Sequence, residues 1–458
     1  MTLLRASLAM LLAAWATMLG CHRSSPEQAL RAAFRQTSGR IQLPAGTIDL
    51  HAPLELAPGA HDIDVQGDQS GSILRLAADF QGAAAILGNG VSNVSVSGLK
   101  IIGNRAALST AKYLPPSDVT FANYYDANGV IFRDSQKIVI RDISFQEIGG
   151  FPVLVSHCSG VAIDHVTIQD SGTLNAQGHS NTTGGILLEQ GTTDFDVRFC
   201  KLHRIRGNGI WTHSNYRSPV NRDGVIAQNE IRGTPRDAIQ LGHATHVQVL
   251  NNYGSDIGFP PAEADLPGGA TPVAIDTAGD VSGSVYSGNR FEDVDGQCID
   301  LDGFHDGQVL DNSCVNLKLR EAYPLSHEGI VFGNSNPDMH SENVIVKGNL
   351  IQGFGYGGVY LIGRGHQITG NRFIDINRNH CTGDMHIAIC AYAADEPAML
   401  RSGIYFASHA ARPADTQSNV IEHNQISGFG MDKWCVGAGP GVSLALNKIA
   451  NNTCTGVR

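Results

Sequence analysis

Three carboxylates, Asp276, Asp300 and Asp302, are the residues whose type and spacing could do chemistry. In Ile299-Asp300-Leu301-Asp302 two of them alternate with apolar residues, so on an extended strand both face one side, about 6.6 Å apart. Asp276 follows Ile275 in a second segment of the same pattern. Stacked in register, the two segments would bring Asp276 to about 4.8 Å from Asp300. Carboxylates that close cannot all ionise freely, so at least one keeps its proton above the usual range. A proton donor and a carboxylate base roughly 6.5 to 9.5 Å apart is the arrangement that inverting cleavage of a glycosidic bond requires. Two bland readings compete. Asp302-Gly303 is an ordinary turn pair, and a one-residue slip at Asp276 would reverse its facing.

Whether these carboxylates meet depends on a repeat. Gly209-Ile210-Trp211 leads to Asn229-Glu230-Ile231, and Ala238-Ile239-Gln240 leads to Asn251-Asn252-Tyr253. The Asn recurs at 229, 251, 289, 312, 349, 371 and 424, never fewer than 22 residues apart. A fixed minimum unit with insertions of varying length describes one coil of a solenoid. Apolar runs such as Ile138-Val139-Ile140 and Val344-Ile345-Val346 are short and rich in β-branched residues. They are strands.

On these repeated Gly-Ile and Asn-x-Ile strands the chain resembles the right-handed parallel β-helix, pectin-lyase-like superfamily over residues 40 to 458. The resemblance implies an all-β, single-domain right-handed parallel β-helix (solenoid), with inward Asn side chains bonded from coil to coil in a ladder. It also implies a carbohydrate-active function by analogy of fold. The sequence departs from the polygalacturonases, with no adjacent Asp-Asp pair, no Gly-His-Gly and no Arg-Ile-Lys. Ile163-Asp164-His165 resembles a fragment of a pectate lyase motif, but Asp164 is read as part of the Asn column.

Aligning the first strand of each coil gives Val130, Val153, Ile186, Ile210, Ile239, Ile275, Ile299, Ile330, Val359 and Ile404, with Val442 as the last. If these point inward, one outward column reads Leu187, Trp211, Gln240, Asp276, Asp300, Val331, Tyr360, Tyr405, and the next reads Glu189, His213, Gly242, Ala278, Asp302, Gly333, Ile362, Ala407. Insertions such as 214–224, 316–328, 334–343 and 377–401 adjoin this strand on both sides. Long loops flanking one sheet make a groove with that sheet as its floor. Three functions fit it. In a glycoside hydrolase Asp300 and Asp302 are acid and base and Asp276 assists. Trp211, Tyr360 and Tyr405 offer flat faces to sugar rings, and Glu189, His213, Gln240, Arg236 and Arg320 are polar contacts. No cofactor is needed. In a polysaccharide lyase or uronate epimerase the carboxylates would bind Ca²⁺, and Lys318, Arg320 or Arg236 would supply the base. The third is a non-catalytic surface that binds glycan or protein.

With 43 Asp and Glu against 32 Lys and Arg, the chain lacks the clustered positive charge of a nucleic-acid partner. Residues 1–20 pair Arg5 with an apolar run from Leu8 to Leu19, an export signal. Gly20-Cys21 is similar to a lipoprotein box and implies acylation of Cys21. The expected place is the periplasm or an outer-membrane anchor, otherwise secretion, with the membrane met only through that lipid. Residues 21–39 then form a tether and an N-terminal capping helix over Pro26 to Gln36, with Ser25 as its cap. Exported cysteines are candidates for oxidation. Cys381 with Cys390 and Cys435 with Cys454 are the expected pairs, and Cys200 and Cys314 read as small buried residues.

Overall fold

The computed structural model describes residues 25–108, 114–180, 183–266, 271–384, 386–407, 412 and 414–457. The expected export signal and the expected acylation site, Cys21, lie outside them. Among the described residues 41 strands form two parallel sheets of 27 and 14, each coil of the right-handed helix pairing with the next. The floor strands include Asn208–His213, Ile239–Leu241, Val273–Ser282, Gln297–His305 and Ile330–Gly333. Their register runs Val130, Val153, Ile186, Ile210, Ile239, Ile275, Ile299, Ile330, Val359, Ile404 without a slip. The last partner is Val436, not Val442. Strands Gln425–Phe429 and Val436–Ala438 belong to the final coils.

The inward column is buried throughout, and burying one such aliphatic side chain contributes about 1.5–3 kcal/mol. That column sets the register, because a slip of one residue would put every Ile on the wrong face. Asn229, Asn252, Asn289, Asn312, Asn349, Asn371, Asn424 and Asn452 form the internal ladder. From Asn252 onward each side-chain oxygen accepts from the backbone N–H and the amide of the Asn one coil before, as Asn289 does for Asn252 at 3.0 and 2.9 Å, while the Asn229 oxygen accepts the Cys200 N–H. The rung between 229 and 289 is therefore Asn252. Asn251 takes the left-handed turn before it, at φ 53°. Asp164 is also outside the ladder. Its carboxylate bonds to His165 at 2.8 Å on the surface.

The helix Pro26–Phe34 starts at a capping box between Ser25 and Gln28 and lays Leu30 and Phe34 on the first coil. It covers apolar surface and strand edge that an open solenoid end would expose. Disulfides join Cys381 to Cys390, Cys435 to Cys454 and, unexpectedly, Cys298 to Cys314, with Cα separations of 5.5, 5.7 and 5.9 Å. Cys314 is thus bonded, while Cys158 and Cys200 are free and buried, their thiols pushed up to about 12 by desolvation. None of the described helices is long and apolar enough to cross a membrane.

Candidate active site

The register places Asp276 beside Gln240 and, through Ile275 opposite Ile299, directly before Asp300 in the next coil. Asp302 faces Ala278 on one side and Gly333 on the other. Asp302 and Gly303 do not form a turn. The strand runs on to His305 past a bulge between Ala278 and Val281, with Gly303 at φ 84°. Bulges of this kind re-aim neighbouring side chains. At Gly333 a Cβ would lie 2.7 Å from the Asp302 Oδ1, so only glycine leaves room for the carboxylate. Asp302 Oδ1 then accepts the Ser335 N–H at 2.8 Å, and its Oδ2 accepts the Ser335 hydroxyl.

The sequence reading missed a fourth carboxylate, Asp237. It is buried just before its floor strand, accepts the Val273 N–H at 3.1 Å and sits 3.4 Å from Arg236. The Asn208 amide donates to Gln240 at 2.5 Å, and Gln240 donates to Asp276. A polar row therefore runs Asn208, Gln240, Asp276, Asp300. Burial pushes Asp276 well above the usual carboxylate range, and the Asp237 charge adds to it. Burial likewise holds Asp300 well up, reinforced by Asp276, Asp302 and Asp237. Asp237 is pushed up to about 6 by desolvation, against the opposing pull of Arg236. Asp302 is raised by burial and drawn back by its Ser335 bonds. The Asp300 Oδ1 is buried without a hydrogen-bond partner. Among the described residues no group of three or more His, Cys, Asp or Glu side chains is arranged to hold a metal ion.

Several residues read as sugar contacts lie elsewhere. Glu189 is fully buried, and its two carboxylate oxygens accept the Phe121 and Ala122 N–H groups at 2.9 and 3.0 Å. It anchors the short helix Phe121–Tyr124. That helix covers Trp211, which packs edge-on to Phe121 at 4.9 Å and presents no open face. Tyr405 is buried and Tyr360 nearly so beneath the insertion 388–401, with the Tyr405 hydroxyl donating to Glu396 at 2.9 Å. Arg320 borders a cavity that none of Asp237, Asp276, Asp300 and Asp302 lines. It shares that cavity with Asp375, Arg378 and His380. Lys318 is paired with Asp293 at 2.7 Å. Gln240 and His213 do border the acidic row. His213, desolvated and beside His243, is depressed to about 4 and hence neutral. The rims add residues that no spacing or motif marks: His243 with Asp338 at 3.3 Å, and His327 in contact with Glu328.

The right-handed β-helix model (Right handed beta helix region) matches residues 59–223 and 184–373. The chain belongs to that family. Solved right-handed β-helices resemble it at low identity. The N-terminal fragment of bacteriophage Phi29 gene product 12 is 13% identical, with a TM-score of 0.62 over 93% of this chain and 69% of that one. PfbA, a surface adhesin of Streptococcus pneumoniae, is 12% identical, with a TM-score of 0.55 over 76% and 86%. A hyperthermoactive exopolygalacturonase from Thermotoga maritima is 11% identical, with a TM-score of 0.52 over 77% and 88%. No curated protein sequence matches the chain. These likenesses concern the β-helix itself; the site has to be argued from its own residues.

Proposed function

We propose that this β-helix is a glycoside hydrolase acting on an extracellular polysaccharide, with Asp300 as general acid and Asp302 as general base. The observation that carries it is the juxtaposition of a half-buried Asp300, its Oδ1 without a partner, with Asp276 one coil away and Asp302 two residues along the strand. Asp276 and Asp300 cannot both ionise cheaply, so the pair shares a proton. The Gln240 amide donates to Asp276 and stabilises it as the charged member. The proton then rests on Asp300, in position to pass to a departing glycosidic oxygen. Asp302 is held by two Ser335 donors, which favour its carboxylate form. At about 6.6 Å along the strand from Asp300, it has space for the attacking water that inversion requires. The neutral ring of His213 would meet sugar hydroxyls, while Asn208 and Gln240 hold the acidic row from beneath.

The test is incubation of the mature protein with a panel of neutral and uronic polysaccharides, read by reducing-end release and by ultraviolet absorbance, with Asp300→Asn as control. New reducing ends without absorbance, abolished in the variant, support the proposal. Unsaturated products would replace it with lyase chemistry, and reducing ends that persist in the variant would remove Asp300 from its role.

A further inference from the structure

We propose that the groove is a short dead-end pocket that admits the end of a glycan chain, with Tyr216 and Tyr392 as the two faces that grip it. This rests on the hydrolase reading for the cleavage step, but the pocket's shape stands on separate observations.

Both ends of the floor are roofed. Toward the N-terminal coils, the helix Phe121–Tyr124 seals Leu187 and Trp211, and the buried Glu189 fastens it there. Toward the C-terminal coils, Ala388–Ala393 and Pro397–Arg401 lie over Tyr360 and Tyr405. That roof is pinned three ways: by the Cys381–Cys390 disulfide, by the Tyr356 hydroxyl donating to the Ile389 carbonyl at 2.7 Å, and by Tyr405 bonded to Glu396. Between the roofs remain the coils of Gln240, Asp276, Asp300 and Val331. Three coil steps span about 14 Å, room for only a few sugar rings.

The walls carry what the floor lacks. Tyr216 and Tyr392 are 58% and 65% exposed, the two tyrosines among the exposed large apolar side chains of the described residues. They come from insertions on opposite edges of the floor strands. Each stands edge-on to a histidine: Tyr216 to His243 at 4.9 Å and Tyr392 to His327 at 5.0 Å. Each also senses the catalytic row. Burial and then the charges of Asp338 and Asp302 raise the Tyr216 hydroxyl, and burial with Glu328 and Asp300 raises that of Tyr392. An exposed aromatic ring offers a large flat apolar face, and the C–H face of a sugar ring is a surface that can cover it. The aromatics read from the sequence as platforms are packed away, while these two are presented open beside the acid and the base.

The protein carrying Asp300→Asn is titrated with linear oligosaccharides from dimer to octamer, with their cyclic counterparts, and the parent's products are followed over time. Affinity should rise over the first few rings and then plateau, with cyclic glycans bound weakly or not at all. Tyr216→Ala and Tyr392→Ala should each weaken binding about three- to tenfold, with unchanged thermal melting and with rescue by Phe. The parent should release only mono- or disaccharide from the first time point. Mid-length fragments, or affinity that climbs to the octamer, would overturn the pocket and leave the hydrolase standing. A plateau in binding with no cleavage by the parent would support the pocket and overturn the hydrolase. Absence of any glycan binding would overturn the pocket proposal outright.

Discussion

Asp300→Asn removes a proton donor and a carboxyl that titrates in a desolvated place while keeping the side chain's shape, and the two losses act in opposite directions. General acid catalysis contributes typically about 10²–10⁴ in rate, so activity should fall by that factor, about 3–5 kcal/mol of barrier. Stability should move the other way. The Asp300 carboxyl is raised in the folded chain by burial and by Asp276, so the native state holds a proton that the unfolded chain has already released. That contribution is fully present below the unfolded carboxyl value of about 3.9 and is lost as pH rises through the folded value. The parent is therefore destabilised at neutral pH by this group. Its Oδ1, buried with no partner, is kept by the amide and so does not distinguish the two chains. The amide carries no charge, so the variant should gain about 1–2 kcal/mol at pH 7 and nothing at about pH 3. Denaturant melts of parent and variant across that pH range, beside reducing-end assays, measure both. A variant that loses activity and stability together at pH 7 would refute the reasoning, because Asp300 would then be a structural residue.

Asp276→Asn should move the alkaline limb of the pH–activity profile downward, since removing the neighbouring charge lets Asp300 lose its proton earlier; an unmoved limb would mean that the two do not share a proton. Glu189→Ala should cost roughly 2–4 kcal/mol by stranding two buried N–H groups and should speed proteolysis around residues 114–127; equal protease resistance would contradict the anchor. Asn289→Ala breaks the ladder in mid-column and should cost about 3–5 kcal/mol, read as faster amide exchange in the coils on either side. Replacing Cys381 and Cys390 by Ser should cost about 2–3 kcal/mol for the small loop they close and raise KM more than it lowers kcat, because the roof is loosened while the aspartates stay in place.

Much of this protein is determined by sequence alone, for one physical reason. A coil must bury a β-branched stripe and pair its polar interior amides, so the chain has to write Ile and Asn at a recurring interval. That writing is enough to align ten floor strands and to stack Asp276, Asp300 and Asp302. It misleads where the local signal is ambiguous by one residue, as at Asn251 and Asn252, whose choice depends on which of them takes the left-handed turn. Tertiary structure alone decided what the insertions cover. Trp211, Tyr360 and Tyr405 occupy outward positions just as Asp300 does, and nothing in strand alternation distinguishes a residue under a loop from one under solvent. Glu189 became an anchor and Asp237 joined the acidic row through contacts between segments far apart in the chain, which no periodicity records.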